Sequence, residues 1–167
     1  MLAMSETSPQ EEARQSYVIR PGRVGDAPAI RELINAYAEL GRMLFRSLAE
    51  VYGSVRDFLV CEEDGEVVGC LAMHVYWSDL AEIRSLAVRE DRQGRGIGAA
   101  LVEAALADAR QLGLGRVFAL TLATGFFERL GFERVAMESL PYKVWTDCIH
   151  CPKQDQCDEI ALVKALV

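Results

Sequence analysis

Ile83-Arg-Ser-Leu-Ala-Val-Arg89-Glu-Asp-Arg-Gln-Gly-Arg-Gly-Ile-Gly-Ala-Ala100 is the stretch on which the reading of this chain turns. Ile83 to Val88 is a strand-like run, and the Ala/Leu-rich segment after Gly96 has the pattern of a helix. A strand, a glycine loop and a helix N-terminus therefore follow one another. Such an end presents unpaired backbone N–H groups and the positive end of the helix dipole. Together these make an anion site, most often for phosphate. Gly94, Gly96 and Gly98 lack a Cβ, so a ligand can approach the backbone. Arg89, Arg92 and Arg95 recur every third residue and can fork onto phosphate oxygens. Glu90 and Asp91 offset two of those three charges, which leaves the holding to geometry. The stretch reads as a pyrophosphate cradle.

Working outward, Tyr17 to Arg20 is a short strand closed by Pro21-Gly22. Asp26 caps a helix with Pro28 in its first turn, Ile30, Leu33, Ile34 and Tyr37 as its apolar stripe, and Gly41 at its end. Arg42 to Gly53 is expected to be a second helical piece, with Arg42 and Arg46 on one face. Asp57 to Glu62 and Val67 to Trp77 are strands joined at Asp64-Gly65, a strong hairpin signal. Leu80 to Val88 follows the turn at Ser78-Asp79. The main helix runs from about Gly96 to Leu112, with Val102, Leu106 and Ala109 inward and Gly113 beyond its last turn. Val117 to Leu122, a short helix over Thr124 to Leu130, and strands at Phe132 to Met137 and Glu159 to Leu166 complete the chain. The passage from Val88 through the helix to Val117 is a crossover, so those two strands are parallel. The sum is an α+β fold: a mixed, mostly antiparallel sheet of about six or seven strands with about four helices. Residues 1–16 lack periodicity and read as a mobile tail, and residues 17–167 as one domain.

Composition narrows the function. A net charge of −7, from 18 basic and 25 acidic residues, argues against nucleic acid or an anionic membrane as partner. No apolar run approaches the roughly 18 residues of a membrane helix. The N-terminus has neither a basic start nor an apolar core, so a signal peptide is not expected. The five cysteines are an odd number. Reduced thiols in the cytoplasm fit them better than a disulfide framework.

Gln93-x-x-Gly96-x-Gly98 resembles the Gln/Arg-x-x-Gly-x-Gly/Ala signature of the GNAT acetyltransferase superfamily, and Phe126-Phe-Glu-Arg-Leu-Gly-Phe132 resembles its second marker. The likeness spans about residues 17 to 140. It implies acetyl-CoA as co-substrate and an amine as acetyl acceptor. It also implies that the parallel strands splay apart in the middle of the sheet. Leu86, Ala87 and Val88 would then pair with the pantetheine arm, and the N–H groups of Gln93, Gly94, Arg95, Gly96, Ile97, Gly98 and Ala99 would hold the pyrophosphate. The N–H of Val88 is the expected donor to the developing oxyanion. With Arg46-Ser-Leu, Ala81-Glu-Ile-Arg-Ser-Leu and the tail from Leu140 to Leu162, the chain further resembles the short N-acetylglutamate synthases, which acetylate L-glutamate at the first step of arginine synthesis. Another amino acid, a diamine, a protein N-terminus, or a non-catalytic acetyl-CoA sensor stay open beside that reading, as does a homodimer.

An ammonium ion cannot attack a thioester, so a base must take its proton. Glu82, on the strand beside the gap with Arg84 as its neighbour on the same face, is the leading candidate, with His74 second. Many GNAT enzymes carry a Tyr acid before Leu-Gly-Phe. Phe126 and Phe127 stand there, carry no proton to give, and read as core. Tyr142 is another hydroxyl that could serve. A dicarboxylic acceptor needs fixed cations, for which Arg46, Arg84 and Lys143 are the candidates. Cys148-x2-Cys151 with nearby Cys157 is half a zinc motif within the loop 140–158, and His150, Asp158 or His74 would have to complete it. No metal is expected as the first reading. Cys61 and Cys70 read as small buried hydrophobes.

Overall fold

Apolar runs build seven strands among the described residues: β1 (Tyr17–Pro21), β2 (Phe58–Glu63), β3 (Glu66–Trp77), β4 (Leu80–Val88), β5 (Arg116–Thr121), β6 (Glu133–Val135) and β7 (Ile160–Ala165). They form one sheet in the order β1-β2-β3-β4-β5-β7-β6 in the computed structural model, which describes residues 16–140 and 159–166. Four α-helices lie among the described residues: α1 (Ala27–Glu39), α2 (Leu48–Gly53), α3 (Ile97–Gln111) and α4 (Thr124–Arg129). The α+β class holds, with β4 and β5 as the parallel pair.

Period-two alternation sends side chains to two cores. Phe58, Val60, Cys70, Ala72 and Ala87 meet Ile30, Leu33, Ile34 of α1 and Val51 of α2 on one face. Cys61, Leu71, Met73 and Ile83 meet Ile97, Leu101, Val102, Ala105 and Leu106 of α3 on the other. Burial pushes the thiol of Cys61 up to about 11 and that of Cys70 up to about 12, so both pack as inert hydrophobes. Asp64 and Gly65 take φ of 51° and 78°, the left-handed pair that a tight hairpin turn requires.

Two irregularities position the site. The strands β4 and β5 pair only where Leu80, Ala81 and Glu82 face Arg116, Val117 and Phe118. Beyond Glu82 they diverge, and a gap opens in mid-sheet. Between β3 and β4, Cys70 faces Ala87 while Ala72 faces Arg84, so β4 carries an extra residue. Ser85 sits in that bulge at φ 54°, a conformation uncommon outside glycine.

Two expectations are corrected. The second helix starts at Leu48, not Arg42: Ser47 accepts from the N–H of Glu50, Glu50 returns a bond to the N–H of Ser47, and this capping box sets the start. Asp26 does stand before α1, but its carboxylate turns away from the helix amides. It takes the N–H of Arg23 at 2.7 Å and the guanidinium of Arg20 at 2.8 and 2.9 Å.

The bonds from Arg20 hold the Asp26 carboxyl below its usual range despite burial. A depressed native value stabilises the fold above the unfolded value and loses that contribution as pH falls through the native one. Asp26→Asn is expected to cost about 2 kcal/mol at neutral pH, with the deficit narrowing below about pH 4. Urea melts at the two pH values check this; an equal deficit at both would contradict it.

Candidate active site

Ile97, buried at the start of α3, and Gly96, at φ 83°, fix where the glycine loop becomes a helix. Ala100 N–H makes the first helical bond, to Gly96 O at 3.0 Å. Among the described residues, none accepts a hydrogen bond from the backbone N–H of residues 94–99. That is six amides in a row, opening on a cavity of about 410 Å³ lined by Gly94, Gly96, Gly98, Ala99, Phe126 and Arg129 among others. Gln93 N–H instead donates to Glu90 O at 3.4 Å. The arginines differ from expectation too. Arg89 is held by Asp91 and Glu66, and Arg92 by Glu63 and Asp91; Arg95, more than half exposed, lies 3.7 Å from Glu63. Asp91 and Glu66 raise the already high pKa of Arg89, which therefore stays fully charged. Two of the three forks are thus committed to carboxylates, whereas the six amides are not.

The edge of β4 facing the gap carries the backbone of Leu86 and Val88, since Arg89 N–H turns the other way, to Val68 O of β3. The N–H of Val88, the expected oxyanion donor, donates to Tyr37 Oη at 3.2 Å, and its carbonyl accepts from Tyr37 Oη and Gln93 Nε2, both at 3.1 Å. Ala87 is paired with Cys70 on β3, while Leu86, in the bulge, has no partner in either register. Leu86 lines both the cradle cavity and its neighbour.

That neighbouring cavity, of about 360 Å³, is lined by Arg42, Arg46, Glu82, Arg84, Thr121 and Phe127 with others. Glu82 is 3% exposed. Its Oε2 accepts from Tyr76 Oη at 3.0 Å and lies 3.8 Å from Arg84 Nη1, which itself donates to Tyr76 Oη at 3.3 Å. The pair is therefore a buried, bridged arrangement rather than a surface contact. Asn35 of α1 clamps Arg46 by its backbone, accepting from its N–H at 3.1 Å and donating to its O at 3.3 Å. His74 Nδ1 sits 2.8 Å from Asp57 Oδ2 and does not line the cavity. A cavity lined by three arginines and by Glu82 and Glu159 thus abuts the glycine-loop cavity across Leu86.

Residues 29–132 match the acetyltransferase (GNAT) family. The chain belongs to that family. It is 47% identical over 148 residues to an uncharacterized N-acetyltransferase of Chlorobaculum tepidum, covering 89% of this chain and 96% of that one. It is also 47% identical over 122 residues to an amino-acid acetyltransferase of Mycobacterium tuberculosis, covering 71% and 69%. An N-acetylglutamate synthase from Neisseria gonorrhoeae, solved with coenzyme A and N-acetyl-glutamate, superposes with a TM-score of 0.79 at 29% identity. That match covers 90% of this chain and 35% of the gonococcal one. The chain is thus an acetyl-CoA-dependent N-acetyltransferase, and acetyl-CoA is its co-substrate.

In this GNAT enzyme Glu82, Arg84 and Arg46 line one cavity, and the structure adds residues that sequence reasoning missed. Tyr37, Tyr76, Asn35, Arg42 and Arg129 line or brace the two cavities. Phe126 does more than fill core: it lines the cradle cavity, while Phe127 is buried against Phe126 and Phe132. Lys143, Tyr142, His150, Asp158 and the Cys148, Cys151 and Cys157 trio lie outside the described residues. No helix among the described residues is long and apolar enough to cross a membrane.

Proposed function

We propose that the chain transfers acetyl from acetyl-CoA to the α-amino group of L-glutamate, by direct attack of the amine on the thioester. The observation that carries this is the cavity beside the β4–β5 gap, which Arg42, Arg46 and Arg84 line together with the buried Glu82 and the half-buried Glu159. A dicarboxylic amino acid needs cations for two carboxylates and an acceptor for one proton, and this cavity supplies both kinds of group. Relatives support the reading, since one is named an amino-acid acetyltransferase and another an N-acetylglutamate synthase.

The amides of residues 94–99 hold the diphosphate, with the helix dipole behind them. Glu82 takes a proton from the ammonium group, and the freed lone pair attacks the thioester carbonyl carbon. The N–H of Leu86, rather than that of Val88, donates to the oxygen as negative charge develops there. The C–S bond then breaks, the nitrogen sheds its second proton to give the neutral amide, and the sulfur, leaving as thiolate, takes up a proton to restore the thiol of CoA. Phe126 and Phe127 cannot deliver that proton, so it comes from water or from a hydroxyl elsewhere. The reaction opens arginine synthesis in the cytoplasm.

Thiol release from acetyl-CoA, measured with a panel of amines, tests the proposal. Release with L-glutamate, and at least tenfold less with its amide or with neutral amino acids, is expected. Preference for a neutral amino acid or a diamine would overturn the acceptor, and CoA binding without release would overturn the enzyme reading.

A further inference from the structure

We propose that Tyr76 is a positioning residue: its hydroxyl is wedged between Glu82 and Arg84, keeping the base and the substrate-binding cation from closing into a tight ion pair. The inference rests on the roles given above to those two residues. Three distances state it. Tyr76 Oη donates to Glu82 Oε2 at 3.0 Å, accepts from Arg84 Nη1 at 3.3 Å, and the carboxylate and guanidinium stand 3.8 Å apart. The direct charge-assisted contact such groups otherwise make is shorter, about 2.8 Å. A guanidinium closed onto Glu82 would have its fork turned from a substrate carboxylate, and Glu82 would be a poorer proton acceptor.

The backbone shows how the hydroxyl is aimed. Val75 faces Ala81 and Trp77 faces Leu80, so Tyr76 is the extra residue of a second bulge, this one in β3. A bulge re-aims a side chain that regular alternation would direct elsewhere. The two bulges, at Ser85 in β4 and at Tyr76 in β3, bracket Glu82 to Arg84 on opposite sides. The ring is held independently of its hydroxyl, with its centroid 5.8 Å from that of Phe118 and 4.9 Å from that of His74, the latter edge to face. His74 is in turn anchored by Asp57. Phenylalanine can therefore replace Tyr76 with the ring contacts intact.

The experiment is a double-variant cycle on the full chain, with kcat and both KM values measured by thiol release. Tyr76→Phe is expected to lower kcat about tenfold and to raise the acceptor KM several-fold, with KM for acetyl-CoA unchanged. In a Glu82→Gln background, where there is no charged base to protect, the same change is expected to lower kcat less than twofold further. Two results overturn the proposal: a Tyr76→Phe enzyme with parental kcat and acceptor KM, or kcat losses that multiply fully in the double variant, as a merely structural role would make them. A parental enzyme that releases thiol with no amine overturns the function reading instead, so the two failures are distinguishable.

Discussion

Replacement of Glu82 by Gln is expected to lower kcat by roughly a hundredfold or more and to leave KM for acetyl-CoA where it is. The change is isosteric, and the amide oxygen can still accept from Tyr76 Oη, which now bonds Oε2 at 3.0 Å. What is lost is the negative charge, and with it the capacity to take a proton and the attraction to Arg84 Nη1 at 3.8 Å. That capacity matters because an amino acid arrives mostly as its ammonium form at neutral pH, with no lone pair to attack. Glu82 stands at the last paired position before β4 and β5 diverge, opposite Phe118, so a proton acceptor is fixed at the gap itself. The cradle at residues 94–99 lies on the other side of Leu86, and the substitution does not touch it. Initial rates across both substrate concentrations check this. A kcat within threefold of the parent would remove Glu82 as the base and leave water-mediated transfer as the account.

How much of this was legible before the structure depends on the range of each cue. The hairpin at Asp64-Gly65, the extent of Leu80 to Val88 and the stop at Gly113 are local backbone demands, and a single residue type announces each. The start of α2 was equally legible, since Ser47-Leu-Ala-Glu50 spells a capping box. Other features leave no local trace. Glu63 and Glu66 meet Arg92 and Arg89 only because the hairpin brings them there. Alternation along β4 implies that Val88 faces the gap, but not that a tyrosine from α1, 51 residues earlier, would take both its polar groups. Bulges are harder still. Neither Ser85 nor Tyr76 is a glycine, so nothing in their type marks the kink that opens the gap or aims the hydroxyl.

Arg84→Ala is expected to raise KM for L-glutamate by roughly 10- to 100-fold while KM for acetyl-CoA stays within twofold. The magnitude follows from one charge-assisted contact to a carboxylate, about 1.5–3 kcal/mol, at about 1.4 kcal/mol per tenfold. Arg84 and Arg46 reach the cavity from separate elements, one on β4 and the other on a loop that Asn35 clamps by its backbone. Two cations on separate elements fix two carboxylates at a set spacing, which favours a dicarboxylic acceptor over a neutral one. The same variant should therefore lose selectivity as well as affinity, with the ratio of kcat/KM for glutamate over its amide falling toward one. Arg84→Lys retains the charge but not the planar fork, so it should recover only part of the loss. Saturation curves for both substrates separate the possibilities. If glutamate and acetyl-CoA weaken together, Arg84 braces the gap rather than the acceptor; if glutamate alone weakens, the cation belongs to the acceptor cavity.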